Sequence, residues 1–321
     1  MKRIVVSAFV TAALAGPALA QTTWDLTTDL PTVNPAEVNL EEFARDVDEA
    51  TGGQLKMTVH PSGSLFKATE LKRALQMSQV AIGEMPSGIM ENEYPLFAVD
   101  SLPLISVSFE QAYAMWELQR PYLQGFLDNQ NIQILFSMPS PPQGLFSKQK
   151  IESKADVAGK RWRGYDPMTS RIGAELGAQP VTVVFAELAQ ALSVGMVDVF
   201  PTSARTGVDV KVWENVKYFY EMDTAFPKRF VIVNKAELEA LSPEVQKAVL
   251  EMSAKAEERG WRMVRDDTAK AVEELRANGV EVLKATPQFE QDMRAVAEGL
   301  KNDWLARAGA DGEALLKAYG N

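Results

Sequence analysis

At 321 residues, with a formal net charge of −10, 46% hydrophobic residues and no cysteine, the chain excludes several classes at once. An acidic chain with no dense basic patch is a poor nucleic-acid binder, and one without cysteine has no disulfide framework, thiolate nucleophile or thiolate metal site. The length suffices for two substantial lobes, each with its own core.

The first twenty residues read as an export signal. Lys2 and Arg3 form a basic start, Ile4 to Gly16 is a short apolar run, and Ala18-Leu19-Ala20 fits a small-residue cleavage site. The run is too short to span a bilayer comfortably, and no later stretch is long and apolar enough to do so. The expectation is a soluble mature chain in a bacterial periplasm.

Trp24 to Thr28 reads as a strand, and Asn34-Pro35 opens a helix to about Ala50 with Leu40, Phe43 and Val47 at helical spacing. Gly52-Gly53 stops it before an alternating strand, Leu55 to Val59. His60-Pro61-Ser62-Gly63 is turn chemistry. A helix from Ala68 to Ser78 and a strand from Val80 to Gly83 complete a βαβαβ unit, which ends in a loop from Met85 to Gly88. Tyr94 to Leu104 suits a packed loop. Phe109 to about Arg120 is an amphipathic helix, with Pro121 opening a second short one, and Ile132 to Phe136 is another strand. The proline-rich stretch Ser137 to Gln143 is the expected hinge.

From Val157 to Ser203 the pattern is strand, helix, strand, helix, strand. Lys160 to Gly164 is extended. Asp166 caps a helix that starts at Pro167 and stops at Gly177. Val181 to Phe185 is β-branched, Glu187 to Val194 is helical, and Val197 to Phe200 runs into Pro201-Thr202-Ser203. Such alternation predicts a parallel sheet whose ligands gather at the carboxyl ends of the strands, where Arg163 and Thr202 fall. Phe230 to Asn234 is a strand placed to return the chain to the first lobe. Ser242-Pro243-Glu244 then starts a helix that continues to about Arg276. At ~1.5 Å per residue it reaches about 50 Å, longer than one lobe needs. Val280 to Leu283 is a last strand, and Pro287 to Tyr319 is largely helical. The reading is α/β and two-lobed, with a long helix bridging both lobes. Residues 21–142 plus about 227–267 form lobe I, and about 143–226 plus about 268–321 form lobe II.

The same residues carry a resemblance. Gly159, Arg161 and Arg163 follow a G-x-K-x-R run with arginine in place of lysine. Gly177-Ala178-Gln179-Pro180 matches G-A-x-P, and Glu187, Ala191-Leu192, Gly195 and Val197-Asp198 match E-x-x-x-A-L-x-x-G-x-V-D. With the turn His60 to Leu65 and the helix start Leu241 to Gln246, the mature chain resembles the solute-binding proteins of TRAP (tripartite ATP-independent periplasmic) transporters, the DctP family. The resemblance implies a periplasmic-binding-protein-like fold whose cleft closes on its ligand. It also implies delivery to membrane permease subunits driven by an ion gradient. The family's carboxylate-gripping arginine falls on Arg163. The family's D-G-Q-E-N-P reads Asp198 to Ser203 here, which puts Thr202 where an asparagine often assists. A second arginine found in members that bind acidic sugars aligns with Gln143, and its loss argues against a ligand rich in negative charge.

The candidate ligand-binding residues are Arg163, Thr202, Phe185, Tyr165, Ser203, Gln143 and Ser87. Guanidinium suits a carboxylate because it is permanently charged and its planar fork offers two parallel hydrogen bonds. Arg161 reads as a surface charge, Asp166 as a helix cap, and Trp162 and Phe200 as either cleft wall or core. His60, alone in a turn, has no partner at metal or catalytic spacing. No cofactor, metal or catalytic residue is expected. The expected partners are a small organic acid and the TRAP permease subunits, with the protein itself a monomer. Rival readings are a binding protein that feeds a sensor and, against the absence of any G-x-S-x-G elbow, a periplasmic enzyme.

Overall fold

The computed structural model describes residues 21–320, so the export signal expected at 1–20 lies outside the described residues. In chain order, β1 (Thr22–Thr27), α1 (Pro35–Ala50), β2 (Leu55–His60), α2 (Ala68–Gln76) and β3 (Ile82–Pro86) form the opening unit. Next come α3 (Phe109–Asp128), β4 (Ile132–Pro139) and β5 (Gln143–Ser147). An alternating segment follows: β6 (Arg161–Gly164), α4 (Pro167–Glu175), β7 (Gln179–Thr182), α5 (Leu188–Ser193), β8 (Val199–Ser203) and α6 (Ala204–Asp209). The chain closes with β9 (Tyr218–Tyr220), β10 (Lys228–Asn234), α7 (Lys235–Glu239), α8 (Pro243–Ala277), β11 (Glu281–Leu283) and α9 (Pro287–Tyr319).

The strands make two sheets, one of order β2-β1-β3-β10-β4 and one of order β11-β9-β5-β8-β6-β7. β10 lies antiparallel between β3 and β4 although it follows the whole alternating segment, so the chain leaves the first lobe and comes back. The two crossings run side by side. The Ser140 amide donates to the Pro227 carbonyl at 2.7 Å, and the Gln143 amide donates to the Ala225 carbonyl at 2.9 Å. The second sheet is mixed rather than parallel throughout. β6 pairs in parallel with β7 and β8, but β5 is antiparallel to β8 and β9 because it enters from the hinge.

A third connection is α8, 35 residues long. Near its start Val249, Met252 and Ala256 pack with Leu40, Phe43 and Val47 of α1. Near its end Ala271, Val272 and Leu275 pack with Phe146, Val208 and Phe219 in the second lobe. Gly260, a weak helix former by propensity, sits where α8 passes tightly over Asn39 of α1 and Met138 of β4. A β-carbon there would come within 2.7 Å of Asn39 Nδ2 and 2.8 Å of Met138 Cγ.

Several local readings change. Met85 and Pro86 belong to β3, not to a loop, because the strand pairs with β10 through Pro86. α3 runs unbroken through Pro121, which lies on its exposed face. β7 stops at Thr182, and Phe185 starts a short 3-10 turn. α9 is not confined to the second lobe. Its Asp292 accepts from the Lys154 amide at 2.7 Å, whereas its Trp304 Nε1 donates to the Pro95 carbonyl at 2.7 Å in the first lobe. No described helix is long and apolar enough to cross a membrane.

Candidate functional site

Between the sheets lies a cleft of ≈ 840 Å³, counting its mouth, walled by both lobes and floored by the hinge residues Ser140, Pro141 and Pro227. The second lobe presents to it the carboxyl ends of β6 and β8. The first lobe presents the start of α1, the loop after β3, and Lys228 and Arg229 at the start of β10.

Strand alternation positions the central residue. Side chains on β6 point to opposite faces in turn. Trp162 enters the core, where its Nε1 donates to the Thr169 carbonyl at 2.9 Å, while Arg163 lines the cleft. Arg163 is 2% exposed. Its Nε donates to the Val183 carbonyl at 2.8 Å, and its guanidinium carbon lies 5.0 Å from the Tyr165 ring centre. Its NH1 has no hydrogen-bond partner, and no described carboxylate forms an ion pair with it. Burial pulls its pKa down to about 10, which still leaves it charged at neutral pH. A buried charge without a counterion is costly. This one is aimed into a cavity.

The other two buried cations of the cleft are already matched. Lys228 Nζ lies 3.1 Å from Asp100, an ion pair that neutralises its charge although the ammonium makes no well-aligned hydrogen bond. Arg229 pairs with Asp29 and with Glu84, its NH2 reaching Glu84 Oε2 at 3.0 Å. Burial pushes the Glu84 carboxyl up and Arg229 pulls it back. Two cations thus face three carboxylates on the first-lobe side, so the only spare positive charge among the three is on Arg163.

Six of the seven predicted residues meet at the cleft: Arg163, Thr202, Phe185, Tyr165, Ser203 and Gln143. Tyr165 OH donates to Gln143 Oε1 at 3.3 Å, and Gln143 Nε2 donates to the Pro141 carbonyl at 2.9 Å. Ser203 also caps α6, accepting from the Thr206 amide at 3.2 Å. Ser87 does not reach the cleft. It is fully buried behind it, and its hydroxyl donates to Asp100 Oδ2 at 3.1 Å. Phe200 stacks on Phe146 in the core, and Arg161 lies at the surface with its NH2 2.6 Å from Asp198. His60 Nε2 lies 2.7 Å from Asp25 Oδ1 on the outside of the first lobe.

Asp29, Asn34, Gly88, Lys228 and Arg229 also line the cleft but are not among the candidate ligand-binding residues the sequence offered. The signal available was Lys228-Arg229 directly before the apolar run Phe230 to Val233, a position where charges enter a buried strand. Asp166 is a cap as read, its Oδ1 accepting from the Thr169 amide at 2.7 Å, but it also forms part of the cleft wall.

The lobes touch across the cleft mouth. Asn34 Nδ2 donates to Asp209 Oδ2 at 2.8 Å, and Lys67 Nζ meets Glu187 at 2.9 Å. Glu91 of the first lobe, wholly buried, pairs with Arg171 of α4 and with Arg307 of α9, the latter at 2.8 Å.

A crevice between two hinged α/β lobes, with one uncompensated guanidinium inside, defines a receptor for a small solute. The family model of the bacterial extracellular solute-binding proteins, family 7 (DctP), matches residues 27–306. The chain belongs to this family, whose members are TRAP solute receptors and not enzymes. It is similar to two extracytoplasmic solute receptors of Bordetella pertussis that bind pyroglutamic acid, DctP6 and DctP7. DctP6 is 39% identical with a TM-score of 0.91, over 93% of this chain and 99% of that one. DctP7 is 39% identical with a TM-score of 0.92, over 94% and 100%. A TRAP solute-binding protein from a marine metagenome, specific for pyroglutamate, is 34% identical with a TM-score of 0.92, over 94% and 99%.

Proposed function

We propose that this protein is the periplasmic receptor of a TRAP transporter, that it captures pyroglutamate on Arg163, and that it passes it to the membrane permease subunits. The observation that carries this is the buried Arg163 guanidinium, partnerless at NH1 and facing the interlobe cleft. With Nε held by the Val183 carbonyl, the NH1/NH2 end is left to take a carboxylate through two parallel hydrogen bonds. One spare cation suits one negative charge. A second carboxylate on the ligand would meet Asp29, Asp166 and the acid-rich first-lobe wall. Phe185 and Ile89 offer apolar contact to a small ring. Pyroglutamate, the acid bound by the three similar receptors, has one carboxylate on a compact ring, which fits these limits.

Capture works as a population shift. The paired crossings at Ser140 and Pro227 hinge the lobes, and a carboxylate on Arg163 adds contacts to the first lobe only when the cleft is closed. The closed form is the one the permease meets.

Isothermal calorimetry on the whole mature chain tests the reading. Pyroglutamate should bind at least ~100-fold tighter than its uncharged amide and than glutarate, a margin of about 2.7 kcal/mol. Equal or tighter binding of the dicarboxylate would reject it.

A further inference from the structure

The cleft holds a second polar element, and what it implies rests on the ligand assignment above. Asp166 is 6% exposed and lines the same cavity as Arg163. Its Oδ1 is fully used by the cap, accepting from both the amide and the hydroxyl of Thr169 at 2.7 Å. Its Oδ2 accepts from no described residue and lies against Gly88 of the opposite lobe. Arg163 and Asp166 line the same cavity, at the end of β6 and the head of α4, and no described ion pair joins them. A cation with a free N–H and an anion with a free oxygen therefore line one cleft.

We infer that Asp166 Oδ2 accepts the ring N–H of the bound acid, so that the receptor selects carboxylates carrying an N–H donor on the adjoining carbon. Among the other cleft groups, Asp29 is already engaged by Arg229. Thr202, Ser203 and Tyr165 carry hydroxyls, which donate or accept as needed, whereas an ionised carboxylate only accepts. A site built around a hydrogen bond rejects the analogue lacking the donor strongly, because its own polar atom is left unpaired. Asp166 also fixes the ligand's orientation, since its charge repels a carboxylate placed on its side.

The informative probe is 5-oxotetrahydrofuran-2-carboxylate, in which a ring oxygen replaces the N–H of pyroglutamate. The informative variant is Asp166→Asn, because asparagine caps a helix as well as aspartate does while putting an amide where Oδ2 stood. Calorimetry on the full chain should show the wild type preferring pyroglutamate to the lactone by about 100-fold or more. The variant should lose pyroglutamate affinity by at least ~30-fold while its lactone affinity holds or rises, so that the preference collapses. A wild type that binds both acids equally, or a variant that weakens both by one common factor, overturns the inference and leaves the ligand assignment standing. A wild type that binds neither acid overturns the ligand assignment first, and this inference with it.

Discussion

Asp166, at the head of α4 in the second lobe, closes directly onto Gly88 of the first. A β-carbon built on Gly88 would come within 2.6 Å of Asp166 Oδ2. The contact joins residues of opposite lobes, so it probes closure more directly than folding. Gly88 has no left-handed backbone to protect, and the nearest atoms a β-carbon would meet all belong to Asp166 across the cleft. Gly88→Ala should therefore leave the thermal midpoint of the ligand-free protein within a degree or so. Overpacking at the contact, about 1–3 kcal/mol, should weaken pyroglutamate binding roughly 5- to 150-fold. An unchanged dissociation constant would show that the lobes need not approach this closely.

Glu91 joins both lobes through Arg171 and Arg307. Arg171→Ala leaves Glu91 paired with Arg307, so the fold keeps its counterion while the link to α4 is lost. The closed state should lose about 1 kcal/mol, and pyroglutamate release in stopped flow should speed up roughly fivefold with little change in association. A slower association at constant release would instead place Arg171 in ligand entry.

Glu37, in the first turn of α1, is 1% exposed, and burial, helped by Glu41, raises its pKa from 4.5 to about 7. The sign follows from linkage: between those two values the folded chain holds a proton that the unfolded chain has released, so stability falls as pH rises from about 4.5 to 7. Glu37→Gln should remove that loss. The variant should be more stable than the wild type by about 1–3 kcal/mol in urea unfolding at pH 8, and nearly equal to it at pH 4.5. A difference that does not vary with pH would mean that folding leaves the Glu37 carboxyl unshifted.

Much of the architecture was legible in the residues. Asn34-Pro35, Asp166-Pro167 and Ser242-Pro243 each start a helix, because a capping side chain followed by proline satisfies the first turn locally. Arg163 and Thr202 stood at strand ends, where a parallel pair of strands opens onto a cleft. What escaped depends on contacts distant in sequence. That Lys228 and Arg229 are neutralised and Arg163 is not follows from Asp100, Glu84 and Asp29 folding beside the first two, which no local pattern announces. Ser87 and Phe200 are of types that suit a cleft but face inward, because the registers of their segments turn them there. Pro121 is tolerated within α3 because it sits on the wet face of a helix held by its buried side, and α9 crosses both lobes because Trp304 finds a seat beside Pro95.

Ligand capture turns on one uncompensated cation, and calorimetry of Arg163→Met tests this most directly. Methionine keeps most of the volume and removes the charge. The variant should show no measurable heat with pyroglutamate, a loss of at least ~3 kcal/mol, while its ligand-free thermal midpoint stays level or rises because a buried charge without a counterion has been taken away. Retained pyroglutamate binding in a folded Arg163→Met protein would contradict the account.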